Sequence, residues 1–316
     1  MKASRRIILV TGPTASGKTA CVDQMASVMP VEVINADLGQ FYTALSIGTA
    51  KPHWRDLPYP CHLFDWVNQP IDVSVMHFRE QVLTLVDDIF NRGCTPIIVG
   101  GSVFYIKSLL YPPVEKNKKQ IDSAARTLDF NDDIATADLW DQLYLVDADR
   151  AHAIHKTDRY RIVRALMIWQ ETGVKPSLQQ PTFDLPWDEI QIVYLTPPMP
   201  QLTDRINQRT AAMIAEGWID EARSVMGTEW EPFVKSKNFI GYTDVMAWIK
   251  AGEESLLLPD VIRKIEIGTR QYAKRQVVFL NKLMKDIQHD ADQAGCSVTV
   301  DQLHDLMIMV VKKIVS

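Results

Sequence analysis

The stretch ILVTGPTASGKTA, Ile8 to Ala20, narrows the possible folds more than any other part of the chain. It holds the pattern G-x-x-x-x-G-K-T, from Gly12 through Gly17 and Lys18 to Thr19, directly after an apolar run. A buried strand that passes through a glycine turn into a helix makes a phosphate cradle. The loop Gly12, Pro13, Thr14, Ala15, Ser16 and Gly17 turns backbone N–H groups toward an anion at the positive end of a helix dipole. Lys18 adds a point charge, and the Thr19 hydroxyl is the candidate ligand for Mg²⁺. The pattern leaves open whether the phosphate belongs to a nucleotide or to something else.

The rest of the chain alternates in kind. RRIILVTG, VEVINAD and TPIIVGG read as buried parallel strands, and KTACVDQMASVMP and SVMHFREQVLTLVDDIFNRG as helices between them. The second helix spaces Val75, Phe78, Val82, Leu85, Val86 and Ile89 along one face. From about Pro112 to Pro186 the sequence turns helical and charged, EIQIVYLTPP returns as a strand, and helix is expected from Leu202 almost to the end. The expected fold class is α/β, a parallel P-loop NTPase-like core with a mostly helical insertion. Its parts are 1–111 as the first piece of the core, 112–188 as the insertion, and 189–316 as the return to the core with C-terminal helices.

With 316 residues, 47% of them hydrophobic and 23% charged, the chain is long enough to bury a large core. Its four cysteines, Cys21, Cys61, Cys94 and Cys296, form no C-x-x-C pair, which argues against a disulfide framework or zinc site. No apolar run reaches membrane-spanning length, and the tail DLMIMVVKKIVS reads as a docked terminal helix or strand. The expectation is a cytoplasmic monomer with no membrane contact and no protein partner implied. A net charge of −5 argues mildly against nucleic acid, but charge placement matters more than its sum. Two segments are locally basic, DRAHAIHKTDRYRIVRA and RKIEIGTRQYAKRQVVFLNKLMK. Taken alone, each reads as a solvated helix face.

A phosphate loop that hydrolyses ATP also needs an acidic residue at the end of a core strand. TPIIVGGS ends without one; the strand-end carboxylate is Asp37, in VEVINADLGQFY. Such a carboxylate organises a metal, accepts a proton, or merely caps a turn.

Taken in order, GPTASGKT, ADLGQFYTALSIGTAKP, PCHLFDW, IIVGGSVFYIKSLL, DRYRIVRAL, TDRINQRTAAMIAEGWIDEA, FIGYTDV and TRQYAKRQ resemble the blocks of tRNA dimethylallyltransferases over roughly Ile7 to Leu280. The resemblance implies that the loop holds dimethylallyl diphosphate rather than ATP, and that the prenyl group goes to N6 of a tRNA adenosine next to the anticodon. Asp37 then matches the group that accepts the N6 proton. Ser102 stands where the family usually has a threonine at the bridging oxygen, and Arg209, aided by Arg205, neutralises the diphosphate. The implied tRNA readers are Asp37, Leu38, Gly39 and Gln40, then Tyr160, Arg161 and Arg164, then Asn238, Gly241 and Tyr242, and finally Lys274, Arg275 and Gln276. The insertion is expected to grip the anticodon stem-loop. Departures from the family pattern fall at Leu38, Met167, Thr243, Phe279 and Asn281, on the nucleic-acid side. They leave a free adenine nucleotide open as an alternative acceptor. An ATP-dependent phosphotransferase sharing only the core, and an RNA-binding relative without turnover, are further alternatives.

Overall fold

The computed structural model describes residues 5–113, 134–254 and 257–304. The chain divides into two compact units, Met1–Leu110 with Phe183–Ser316, and Tyr111–Thr182.

The first unit is built on six parallel strands: β1 (Arg6–Thr11), β2 (Val31–Asn35), β3 (Cys61–His62), β4 (Thr95–Gly100), β5 (Glu189–Leu195) and β6 (Ser297–Leu303). Their order is β3-β2-β4-β1-β5-β6. β1 lies between β4 and β5, with Val10 opposite both Val99 and Val193. Because β1 is covered on both faces, Ile8, Leu9 and Val10 are all fully buried, and the run shows no polar alternation. Each such side chain contributes about 1.5–3 kcal/mol of burial.

The helices of this unit are α1 (Lys18–Ala26), α2 (Val75–Asn91), α3 (Val103–Leu110), α7 (Met199–Ala215), α8 (Trp218–Val225), α9 (Trp230–Ser236), α10 (Tyr242–Lys250) and α11 (Leu258–Ala294). α2 buries Phe78, Val82, Val86 and Ile89 and is capped by Ser74, whose hydroxyl accepts from the His77 N–H at 3.1 Å. α11 is 37 residues long and turns its buried stripe inward through Val261, Ile265, Ala273, Gln276, Leu280 and Leu283.

Two strands escape the sequence reading. β3 has two residues, too few to show a period. β6 replaces the helix expected near the end: α11 stops at Gly295, which takes φ 64°, and the β-branched Val298, Thr299 and Val300 then pair with β5. The tail of residues 305–316 lies outside the described residues.

The sheet order decides where the site forms. β2, β4 and β1 are neighbours, so the turns that leave their carboxyl ends meet at one edge. These turns carry the Gly12–Gly17 loop, Asp37 and Ser102.

The second unit holds α4 (Thr136–Val146), α5 (Ala148–His152) and α6 (Arg159–Thr172) around Leu139, Trp140, Leu143, Ile154, Ile162 and Leu166. Buried Asp147 joins its loops, accepting from the N–H groups of Arg150 at 3.0 Å and Ser177 at 2.7 Å. Burial pushes its carboxyl up, but these hydrogen bonds outweigh that and leave it below the usual range.

The four cysteines are unpaired. Among the described residues no helix is long and apolar enough to cross a membrane.

Candidate active site

Gly12 opens the phosphate loop at a point no side chain would fit. A Cβ there would lie 2.5 Å from the Leu195 carbonyl oxygen and 2.7 Å from Ser16 Oγ. The loop tightens through Ser16 N–H donating to Pro13 O at 3.2 Å, and Gly17 enters α1 with φ 95°. Ser16 Oγ is buried without a hydrogen-bond partner among the described residues, as expected of a hydroxyl meant for a ligand oxygen. Lys18 Nζ folds over the loop and donates to Gly12 O at 3.2 Å and Pro13 O at 3.0 Å. Burial pulls this ammonium down to about 8; the Asp37 charge opposes the shift and Arg209 adds to it. Thr19, in the first turn of α1, is open to solvent. Its hydroxyl is the kind of hard oxygen donor that magnesium takes alongside water and phosphate oxygens.

Two arginines of α7 reach the same loop. Arg209 Nη2 donates to Thr14 Oγ1, and Arg205 Nη1 reaches the Ser16 carbonyl at 3.3 Å. Burial lowers the Arg209 pKa, with Asp37 pulling the other way. At i, i+4 spacing these residues look like a surface pair in the sequence. In the fold they back the phosphate loop.

Asp37 leaves the end of β2 and starts a 3-10 turn, Leu38–Phe41, without capping it through its side chain. Its backbone is held instead: Asp37 N–H donates to Asn35 Oδ1 at 2.9 Å, and Asn35 Nδ2 donates to Leu63 O at 3.1 Å. The Ser102 hydroxyl accepts from Leu38 N–H at 2.9 Å and donates to Asp37 Oδ1 at 3.3 Å. Ser102 thus ties the ends of β2 and β4 together and leaves the second carboxylate oxygen of Asp37 for other work.

A cavity of about 430 Å³ joins these groups, with Thr14, Asp37, Ser102, Arg209 and Arg275 among its polar lining. Leu38, Met213, Trp218, Phe239, Ile240 and Ile265 give it an apolar portion. A charged end beside an apolar one suits an amphiphilic ligand. Tyr272 lines it too; burial raises its hydroxyl pKa, the Asp37 charge raises it further, and Arg275 opposes both.

Gln276 departs from its expected role. Its side chain is 3% exposed, and its amide is spent inside the protein. Oε1 accepts from Thr14 N–H at 2.8 Å and Nε2 donates to Gly101 O at 2.8 Å. It therefore braces the phosphate loop rather than facing an RNA. Gln276→Ala would leave the buried Gly101 carbonyl and the half-buried Thr14 N–H without this partner, the first at a cost of roughly 1–3 kcal/mol. The expected outcome is a thermal midpoint several degrees below that of the wild type, read by thermal denaturation.

Tyr242 is likewise fully buried, its hydroxyl on Glu221 Oε1 at 2.5 Å, so it cannot stack on a base. Gly241 sits against the Trp218 ring. Gly39 is buried, and Gln40 Nε2 donates to the carbonyls of Thr49 at 3.3 Å and Ala50 at 3.2 Å. Asn238 and Arg275 line the cavity, and Lys274 is exposed on α11. In the second unit Tyr160 is 80% exposed, and Arg161 and Arg164 are exposed on the same helix, Arg161 3.3 Å from Asp158.

Of the five departures, Leu38 lines the cavity and Met167 is half-buried on α6. Thr243 is exposed, Phe279 packs edge-on against Phe104 at 5.5 Å, and Asn281 Oδ1 accepts from the Tyr194 hydroxyl at 2.9 Å.

Comparison with known proteins points the same way as this geometry. A family model described as IPP transferase matches residues 40–283. A tRNA dimethylallyltransferase of Geobacter metallireducens is 34% identical over 281 residues, covering 88% of this chain and 90% of its own. A crystallised eukaryotic dimethylallyltransferase acting on tRNA superposes with a TM-score of 0.78 at 26% identity, over 96% of this chain and 75% of that one. The full-length tRNA isopentenylpyrophosphate transferase of Bacillus halodurans gives 0.59 at 27% identity, over 98% and 93%. With likeness running from the turn that holds Gln40 to Leu283, buried on α11, this chain belongs to the IPP transferase family.

Proposed function

We propose that the protein transfers a dimethylallyl group from dimethylallyl diphosphate to N6 of an adenosine next to the anticodon of tRNA, releasing diphosphate. The observation that carries this reading is one cavity that joins a strand-end carboxylate, Asp37, to the phosphate loop and Arg209 beside an apolar wall. An exocyclic adenine amine is a weak nucleophile, since its lone pair is delocalised into the ring. It must be held in line with C1 and lose a proton as it attacks. As the N6–C1 bond forms, the C1–O bond breaks and its electron pair leaves with the diphosphate. Asp37 accepts the N6 proton, and the Ser102 hydroxyl keeps the carboxylate aimed. Lys18, Arg209 and the loop N–H groups meet the charge growing on the leaving oxygens. Magnesium, held through Thr19, would neutralise further charge on the diphosphate. The adenosine has to leave its stack to reach this depth. The anticodon stem-loop is the expected RNA element, with Tyr160, Arg161, Arg164, Asn238, Lys274 and Arg275 as its contacts, and the cytoplasm the expected place of action.

The direct test incubates the protein with unmodified tRNA, Mg²⁺ and dimethylallyl diphosphate, and analyses the digested nucleosides by mass spectrometry. N6-isopentenyl-adenosine supports the reading; unmodified RNA with prenylated AMP or ATP instead would favour a free-nucleotide acceptor.

Two quantitative outcomes follow from the charges. Lys18 is protonated below about 8 and neutral above it in the free protein. Donor kcat/KM therefore falls as pH rises through that value, and the Lys18→Met variant lacks this limb. Lys274→Ala removes one phosphate contact, so the slope of log affinity for tRNA against log salt becomes shallower by about one unit.

A further inference from the structure

We infer that Glu221 is a positioning residue for the transfer step: its carboxylate fixes the Ser46–Ala50 loop, and that loop holds the turn carrying Asp37. The inference rests on the functional reading above and gives a role to a residue that lies in one of the family blocks but carries none in that reading.

The geometry is that of an anion nest filled by the protein's own side chain. Glu221 Oε2 accepts from the N–H groups of Ser46 and Ile47, each at 2.8 Å. Oε1 accepts from Gly48 N–H at 2.9 Å and from the Tyr242 hydroxyl at 2.5 Å. Three consecutive amides from a loop more than 170 residues earlier thus converge on one carboxylate of α8. Gly48 is required there, since a Cβ would fall 2.1 Å from Trp218 Nε1. The loop closes on itself through Ala50 N–H to Ile47 O at 2.8 Å and Lys51 N–H to Ser46 O at 3.0 Å. On the opposite side Lys51 Nζ donates to Tyr42 O at 2.7 Å and pairs with Asp65 at 2.5 Å.

From this loop the constraint passes to Asp37. Thr49 and Ala50 offer their carbonyls to Gln40 Nε2, and Gln40 N–H donates to Asp37 O at 3.0 Å. Gly39 lies so close to Thr49 that a Cβ would be 2.8 Å from its methyl. Gly48, Thr49 and Ala50 also line the cavity that Asp37 lines. Lys18, Arg205 and Arg209 instead bond the phosphate loop itself. Disturbing Glu221 should therefore misplace the proton acceptor while sparing the diphosphate cradle.

The test is Glu221→Gln, which keeps the side-chain volume but replaces an acceptor oxygen with a donor NH₂. The expected result is a kcat lower by about 10–100-fold with donor KM within about threefold, the size of effect that a small misplacement of reacting groups produces. Hydrogen exchange at the amides of residues 46–48, measured on the free protein, should lose its protection. Gln40→Ala should lower kcat as well, and the double variant should fall no further than Glu221→Gln alone, because both act through one loop. Multiplying effects, a defect confined to donor KM, or wild-type kcat would each overturn the proposal. Should Glu221→Gln fail to fold, Glu221→Asp and Tyr242→Phe decide the matter: lower kcat per folded molecule, with raised exchange at 46–48, supports it, and unchanged kcat overturns it. Wild-type protein that modifies no tRNA overturns the functional reading, and the inference with it, whatever the exchange data show.

Discussion

Asp37→Ala lowers kcat for tRNA prenylation by about 10²–10⁴-fold, the usual worth of a positioned general base. Asp37→Asn falls equally far. The asparagine side chain can still meet the Ser102 hydroxyl, but it can neither take the N6 proton nor supply the charge. That charge is felt widely: it raises the Lys18, Arg209 and Tyr272 pKa values against or alongside burial. Removing it pulls Lys18 further below about 8 and leaves more of that lysine neutral at working pH. Single-turnover rates with saturating donor isolate the chemical step. A rate within about tenfold of wild type for either variant would remove Asp37 from the role of base.

Lys18→Met should cost about 10²–10³-fold in donor kcat/KM, through lost stabilisation of the departing diphosphate. tRNA affinity should stay the same, because Lys18 bonds the loop carbonyls of Gly12 and Pro13, on the side proposed for the diphosphate. The variant separates function from stability. Burial already disfavours the charged lysine, so an apolar replacement of similar length should leave the thermal midpoint unchanged or raise it. A collapse of both activity and folding would show that Lys18 serves mainly as a structural clamp on the loop.

The parts of this site that sequence makes legible are those whose chemistry is local. A phosphate loop needs glycines, lysine and threonine at fixed offsets, and Gly12 to Thr19 supply them within eight residues of chain. Asp37 is visible as the acidic residue that ends a strand. Gln276 is not, since its partner Thr14 lies 262 residues away and only the fold brings the two together. Its trace in the sequence is a polar side chain in an otherwise apolar α11 stripe. Tyr242 misled for the opposite reason: an aromatic hydroxyl in a family block reads as an RNA contact, whereas this one spends its O–H on Glu221. Arg209 carries no local sign of burial, because i, i+4 spacing on α7 is also the spacing of a surface pair. β6 was hidden by its neighbour: the long helical period of α11 runs up to Ala294, and the seven-residue edge strand after it is too short to compete.

The most direct test of the account pits the two possible phosphate ligands against each other. Isotopically labelled dimethylallyl diphosphate, unmodified tRNA and excess ATP are combined with the protein and Mg²⁺ in one reaction. Label is expected to enter adenosine of the tRNA, with diphosphate released mole for mole and ATP neither consumed nor able to block the transfer. Consumption of ATP with no label in the RNA would contradict it.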